Sequence, residues 1–460
     1  MKEISRDRFN VFVGFIRKPE VTDIAKEINW FQNDAGTLFA TILFCLTDGD
    51  YNCLIFSRDA DGRFKPIKIE IDFATADEAT AWIEQKFCEL EDANVSNLDA
   101  TLKKKYDLFA VNKKYENRLH YYFEILRDKK SHVAAKTLIS EIMPHFIDID
   151  GNFIQQFQTD GFDQRLWELY LFCYFNDELI NIDRSHNTPD FLLSKDDVEV
   201  ALEAVTISRK TLRQDSQTPL DKLPTEEEMA KLLKNDMPVQ YGRALINKLG
   251  HFVGGKHYWE LEHTIGKPLV FAIADFHDDF AMTWSTPALC TYLYGYEYSH
   301  YHDKEGKLHV EPIKVDNHEQ GGGQNTFPSG FFFQPGAENI SAVLHSTSGT
   351  LSKFNRMGVQ CGFGLPEIRM IRQVFVHNND PNATVPIVEK YEVGEESNEK
   401  WAEGISVYHN PNAIHPLPFD FFPSAAHHIF EDESLKSYLP DRFVYSSQTC
   451  TILLKESDNE

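Results

Sequence analysis

The chain has 460 residues, 42% of them hydrophobic and 13% aromatic, with 71 acidic against 46 basic residues and a formal net charge of −25. That length exceeds one ordinary core and predicts two or three domains, and the apolar content excludes a disordered, solvating chain. The charge excludes attraction to phosphate by the surface as a whole, so binding nucleic acid requires Lys and Arg gathered locally or a positive groove supplied by another chain.

The seven cysteines never form a CxxC pair, which argues against a disulfide framework or a zinc knuckle and fits a reducing cytoplasm. No stretch approaches the roughly 18 apolar residues of a membrane span. The expectation is a soluble, unprocessed, cytoplasmic protein with no membrane partner.

Residues 1–100 alternate apolar runs (FNVFVGFI, GTLFATILFC, YNCLIFS, PIKIEIDF) with the turn signals DGD and DADG, which predicts a small antiparallel sheet. ADEATAWIEQKFCELE closes this small α+β domain as an amphipathic helix. The two acidic turns lack the ligand spacing of a calcium loop and read as solvated turns. Residues 101–148, with LHYYFEILRDKK and HVAAKTLISEIM, predict a helical connector. Residues 149–280 carry the segment with chemistry. From 281 to 460 the composition turns to Gly, Pro, Asn and His around short strand-like runs, predicting a loop-rich α+β extension packed on the core.

Within 149–280, RLWELYLFCYF is a helix-length run, apolar on nearly every side, with Glu168 its one carboxylate. An ionised Glu in such a helix has to be paired, hydrogen-bonded or bound to a metal, and Arg165 one turn earlier is the simplest partner. Asp163, just upstream, reads as an ordinary N-cap; alternatively Gln158, Asp163 and Arg165 cap this helix or hold the carboxylates of a metal site. In IDRSHNTPDFLL, Pro189 fixes a strand entry and Asp190 stands where the strand begins. VEVALEAVTI, residues 198–207, follows as a strand whose alternation puts Glu199, Ala201, Glu203 and Val205 on one face. KPLVFAIADF, residues 267–276, predicts a further buried strand.

A helix glutamate, then Pro-Asp, then a strand glutamate thirteen residues on (203 minus 190) resembles the PD-(D/E)XK, restriction-endonuclease-like nucleases. That resemblance implies an α/β (α+β) fold with an αβββαβ core. It also implies a divalent ion, Mg²⁺ or Mn²⁺, held by Asp190 and Glu203, with Glu168 assisting directly or through water. The chain departs from the family pattern where the lysine expected two residues after Glu203 is Val205. In PVQYGRALINKLGHF, Gln240, Ala244 and Lys248 share one helical stripe, making Lys248 the candidate for a migrated catalytic lysine. Its alternative is a solvent-facing lysine near a helix C-terminus. Arg243 and Lys256 are weaker candidates, and Gln240, Arg209 and Lys210 are the residues placed to touch substrate.

Outside this segment, His300, His302, His309 and His318 cluster without helical zinc spacing, Gly321–Gly323 is a turn without GK[ST], and Lys353, Arg356, His409 and Asn410 sit among loop-forming residues able to touch phosphate or bases. The expected function is a Mg²⁺-dependent nuclease in defence or genome maintenance, cutting DNA in preference to RNA. The alternative is a nuclease fold that has lost catalysis and serves as a binding or scaffold subunit. A basic surface contributed by a homo-oligomer or a protein partner stays open.

Overall fold

The computed structural model describes residues 1–93, 107–209, 222–320 and 325–454. The sequence-level readings of Lys210 and of Gly321–Gly323 fall outside them. The fold is mixed α/β with several sheets, and no helix among the described residues is long and apolar enough to cross a membrane.

The N-terminal strands β1 (Lys2–Glu3), β2 (Ala25–Gln32), β3 (Leu38–Cys45), β4 (Tyr51–Arg58) and β5 (Phe64–Phe73) form an antiparallel sheet in that order. Helix α1 (Arg6–Val13) covers one face, with Phe12 stacked on Phe39, and α2 (Ala76–Asp92), capped by Thr75, buries Ala79, Ile83 and Phe87 on the other. In the DADG turn Asp59 accepts the backbone N–H groups of Asp61 and Arg63 and pairs with Lys65.

Helices α3 (Tyr121–Asp128), α4 (Val133–Ile142), α5 (Phe153–Gln158) and α6 (Phe162–Asp177) lead to β6 (Asn181–Asp183), β7 (Phe191–Lys195) and β8 (Val198–Ile207). Helices α7 (Glu226–Lys231) and α8 (Met237–Leu249) then cross to β9 (Leu269–Asp275). The order is helix, three antiparallel strands, helix, then a strand parallel to the third. Beyond it come α9 (Ala281–Trp284), α10 (Thr286–Tyr294), the hairpins β10 (Tyr296–His302)/β11 (Leu308–Lys314) and β12 (Asn317–Gln320)/β13 (Asn325–Pro328), β14 (Ala342–Ser346) and α11 (Leu351–Gln360). The chain ends in β15 (Ile368–Val376), β16 (Ile387–Glu392), β17 (Ile405–His409), β18 (Ala426–Glu431), β19 (Ser434–Tyr438) and β20 (Val444–Leu453).

The main sheet runs β19-β18-β17-β14-β9-β8-β7-β6, with β8, β9 and β14 parallel. Residues 281–460, read from sequence as an extension packed on the core, thus supply four of its eight strands. The sheet is sandwiched. On one face Val200, Leu202, Ala204, Val270 and Ala272 pack under α6, whose Trp167 donates to the Ala272 carbonyl at 2.9 Å. On the other, Ala201, Val205, Phe271 and Ile273 pack against α8 and α10. β9, buried at all seven positions, reads as the continuous apolar run that a strand covered on both faces requires.

The reading of Lys353 and Arg356 as loop residues is corrected. Both lie in α11, which begins at a Thr350 side-chain cap, and both are buried on Glu399: Lys353 at 2.8 Å, Arg356 through two bonds of 2.8 and 2.9 Å. His409 and Asn410, at the end of β17, are likewise committed, His409 to His427 and Asn410 to the carbonyls of Ala337 and Ile340. A phosphate contact by Lys353, Arg356 and the Asn410 amide nitrogen is not available while these bonds stand.

Helix α11 lies hard against α4. A Cβ at Gly358 would sit 2.4 Å from the Ala134 carbonyl oxygen, which can only be relieved by moving backbone. Gly358→Val is expected to destabilise the protein by about 2 kcal/mol or more, as overpacking does, read from urea unfolding midpoints against the wild type.

Candidate functional site

The β7–β8 register determines the centre of the site. Phe191 pairs with Leu202 in this antiparallel ladder, so the next step outward sets Asp190 against Glu203. The Asp190 N–H donates to Glu203 Oε2 at 3.3 Å, and the Ala204 N–H donates to Asp190 Oδ2 at 2.8 Å. Glu203 shares the parity of Ala201 and Val205, so its carboxylate emerges on the α8 side of the sheet, where Lys248 Nζ donates to Oε1 at 2.5 Å and Tyr258 Oη at 2.9 Å. Lys248 is one-third exposed while Glu203 is almost fully enclosed, so the lysine forms the outward boundary of the cluster.

Glu168 approaches Asp190 from α6. Arg165, one turn back, donates through Nη1 to both Glu168 oxygens at 2.9 and 2.8 Å, and Arg184 Nη2 stands 3.8 Å away. Gln164 ties helix to sheet, donating to Glu168 and to the Ala204 carbonyl while accepting from Thr206. Arg184 lies over the Phe146 ring, 4.0 Å from its centroid, and its Nε and Nη1 have no hydrogen-bond partner among the described residues.

These groups feel each other strongly. Burial, then the charge of Asp190, pushes Glu168 and Glu203 each up to about 7; burial also raises Asp190, against the pull of Lys248, Arg184 and Arg165. Lys248 is raised above its ordinary value because the Glu203 charge and hydrogen bond, with Asp190 and Glu168 behind them, outweigh its own desolvation. Asp190 is the shared neighbour, coupled to a glutamate on either side.

Four residues picked from sequence, Glu168, Asp190, Glu203 and Lys248, therefore come together. Arg209, Gln240, Arg243, Asp163 and Gln158 do not join them. Arg209 leaves the end of β8 and pairs with Asp279 at 2.8 Å; Gln240 turns to Met237 Sδ at 3.4 Å; Arg243 reaches Gln320 at 3.4 Å. Asp163 is not the N-cap of α6, a position held by Gly161, and Gln158 donates to the carbonyls of Leu108 and Ala110 instead. The histidines form no shared site among the described residues: His300, His302 and His309 lie on the β10–β11 hairpin, but His302 bonds the Asn382 carbonyl and His309 bonds Asp303, while His318 lies between the Lys234 carbonyl and Ser329. Two participants went unnoticed in the sequence. Arg184, in IDRSHNTPD, had a signal, being the one Lys or Arg between Glu168 and Asp190; Tyr258 had none.

Among the described residues no three or more His, Cys, Asp or Glu side chains are grouped so as to cage a metal by themselves. The donor set nonetheless suits a hard cation: Mg²⁺ is commonly held by one or two carboxylates, with water and phosphate oxygens completing the shell. Asp190 and Glu203, positioned by backbone amides on adjacent strands, make such a pair, while Glu168 is engaged by Arg165.

No protein-family model, curated protein or solved structure matches this chain.

The raised glutamates give a signed pH dependence. Each binds its proton more tightly in the folded chain than at the ordinary value of 4.5, so it lowers unfolding free energy as pH rises from about 4.5 through about 7, after which its effect is constant. Urea unfolding of Glu203→Gln between pH 5 and pH 8 should show a smaller loss of stability than the wild type over that interval; an equal or larger loss contradicts the assigned shift.

Proposed function

We propose that the protein is a divalent-metal-dependent phosphodiesterase acting on nucleic acid, DNA in preference to RNA, and a divergent relative of the PD-(D/E)XK nucleases. The observation that carries this reading is the meeting of Asp190, Glu203 and Lys248 at the β7–β8 pair, with Glu168 behind Asp190. The helix, three-strand, helix, strand order on which they stand supports it.

Asp190 and Glu203 would hold Mg²⁺ or Mn²⁺, which supplies charge neutralisation at the phosphate and a more acidic bound water. Lys248 takes the part of the lysine that Val205 does not provide: its ammonium, on the exposed rim of the cluster, donates toward the position of the attacking water. Glu168 holds Arg165 and Arg184 beside the carboxylates, keeping the cluster from accumulating negative charge. A net charge of −25 leaves capture of nucleic acid to a partner or to cations gathered locally.

A second reading has its own observation. Arg165, Arg184 and Lys248 match Glu168, Asp190 and Glu203 in number, so the cluster carries no excess negative charge without any metal. This is the arrangement of a nuclease fold kept as a scaffold.

Plasmid and single-stranded DNA, incubated with Mg²⁺ or Mn²⁺, separate the two. Cleavage that falls below roughly one per cent of wild type in Asp190→Ala and in Glu203→Gln supports the enzyme. Binding without cleavage under either metal supports the scaffold. Lys248→Met is expected to lower the cleavage rate by about 100-fold with DNA affinity little changed; a drop in affinity alone moves Lys248 from chemistry to substrate binding.

A further inference from the structure

A cavity of about 630 Å³ opens at the carboxyl ends of β8, β9 and β14, where Arg209, Asp275 and Thr347 stand at or just beyond the strand termini. That is the place where open α/β sheets take ligands. Its volume suits one drug-sized or nucleoside-sized molecule, not a polymer. It shares α6 with the carboxylate cluster but is lined there by Phe162, Asp163 and Leu166 and not by Glu168.

The charged groups on its wall are nearly all committed. Arg209 is on Asp279, which Tyr122 also bonds; Arg356 is on Glu399; Asp275 and Asp278 both hold the His277 ring, at 2.8 and 3.0 Å. Lys390 is exposed at the rim. Asp163 is the exception among the carboxylates, while His120 Nδ1, Thr347 Oγ1 and Ser348 Oγ on the same wall also lack a hydrogen-bond partner among the described residues. The Asp163 carboxyl lines the cavity without a hydrogen bond or ion pair among the described residues, and burial pushes it up to about 7 against the pull of Arg209. A recessed carboxyl with no partner is costly, and it is satisfied best by two adjacent N–H donors meeting both oxygens. Apolar surface from Phe162, Phe280, Ile371 and Ile452 flanks it, which suits a flat ring.

We propose that this cavity binds a small planar molecule presenting adjacent N–H donors, of guanine or amidine type, gripped by Asp163. The site is independent of the nuclease reading. With uncommitted acceptor capacity and no uncommitted buried cation on its described wall, it selects against a bare phosphate.

Isothermal titration of the full chain with guanosine, benzamidine and inorganic phosphate tests this. Saturable binding of guanosine identifies a neutral edge as the source and of benzamidine a cationic one; either supports the proposal if affinity falls by roughly tenfold or more in Asp163→Leu. Ser352→Trp, at an exposed position of α11 on the cavity wall, should have the same effect by obstruction. Both variants are checked for wild-type melting, and Asp190→Ala should bind as the wild type does, which keeps this outcome separate from that of the nuclease assay. No binding of either probe at millimolar concentration, binding of phosphate alone, or binding that survives both substitutions overturns it.

Discussion

The structure is organised around the burial of α6. Eleven of its sixteen residues are enclosed, so the helix has no solvent face and every side of it has to be covered by something else. The central strands cover one side. The remainder comes from distant chain: Phe15 and Phe146 pack on Phe172, Tyr170 donates to the Trp401 carbonyl, and Phe422 lies against Tyr174 and Phe175. One carboxylate inside such a helix cannot remain alone, because its desolvation is not repaid by water. Arg165 and Arg184 follow from that constraint, and with them the whole electrostatic character of the neighbouring Asp190 and Glu203.

Much of this was legible in the residues. The apolar run around Glu168, the β-branched 198–207 segment and the unbroken apolar run of β9 each announce an element by period and length. The nearness of Asp190 to Glu203 was legible as well, since a short antiparallel connection brings residues with a constant index sum face to face, and 190 and 203 have the same sum as the paired 191 and 202. Lys248 was reached by helical spacing alone, one stripe along α8.

What was not legible depends on register between segments far apart. Nothing in AVLHS says that it pairs in parallel with β9 some seventy residues earlier, because a continuous apolar run carries no period to choose its neighbour. Lys353 and Arg356 look like loop cations by composition, yet α11 exists because Thr350 caps it and its apolar face finds α4, while the two cations find Glu399, which no local pattern foretells. Tyr258 reaches Glu203 from a short turn whose path is set only by the fold around it.

The position of β9 between β8 and β14 has a consequence for how the chain comes into being. Until residues near 342 have emerged from the ribosome, one long edge of β9 has its hydrogen-bonding groups unpaired along a strand that is apolar up to its terminal Asp275, which is the kind of edge that recruits another chain. The nascent polypeptide is therefore exposed to aggregation over a defined span of its synthesis, and a product cut short after the first parallel pair inherits that sticky border permanently.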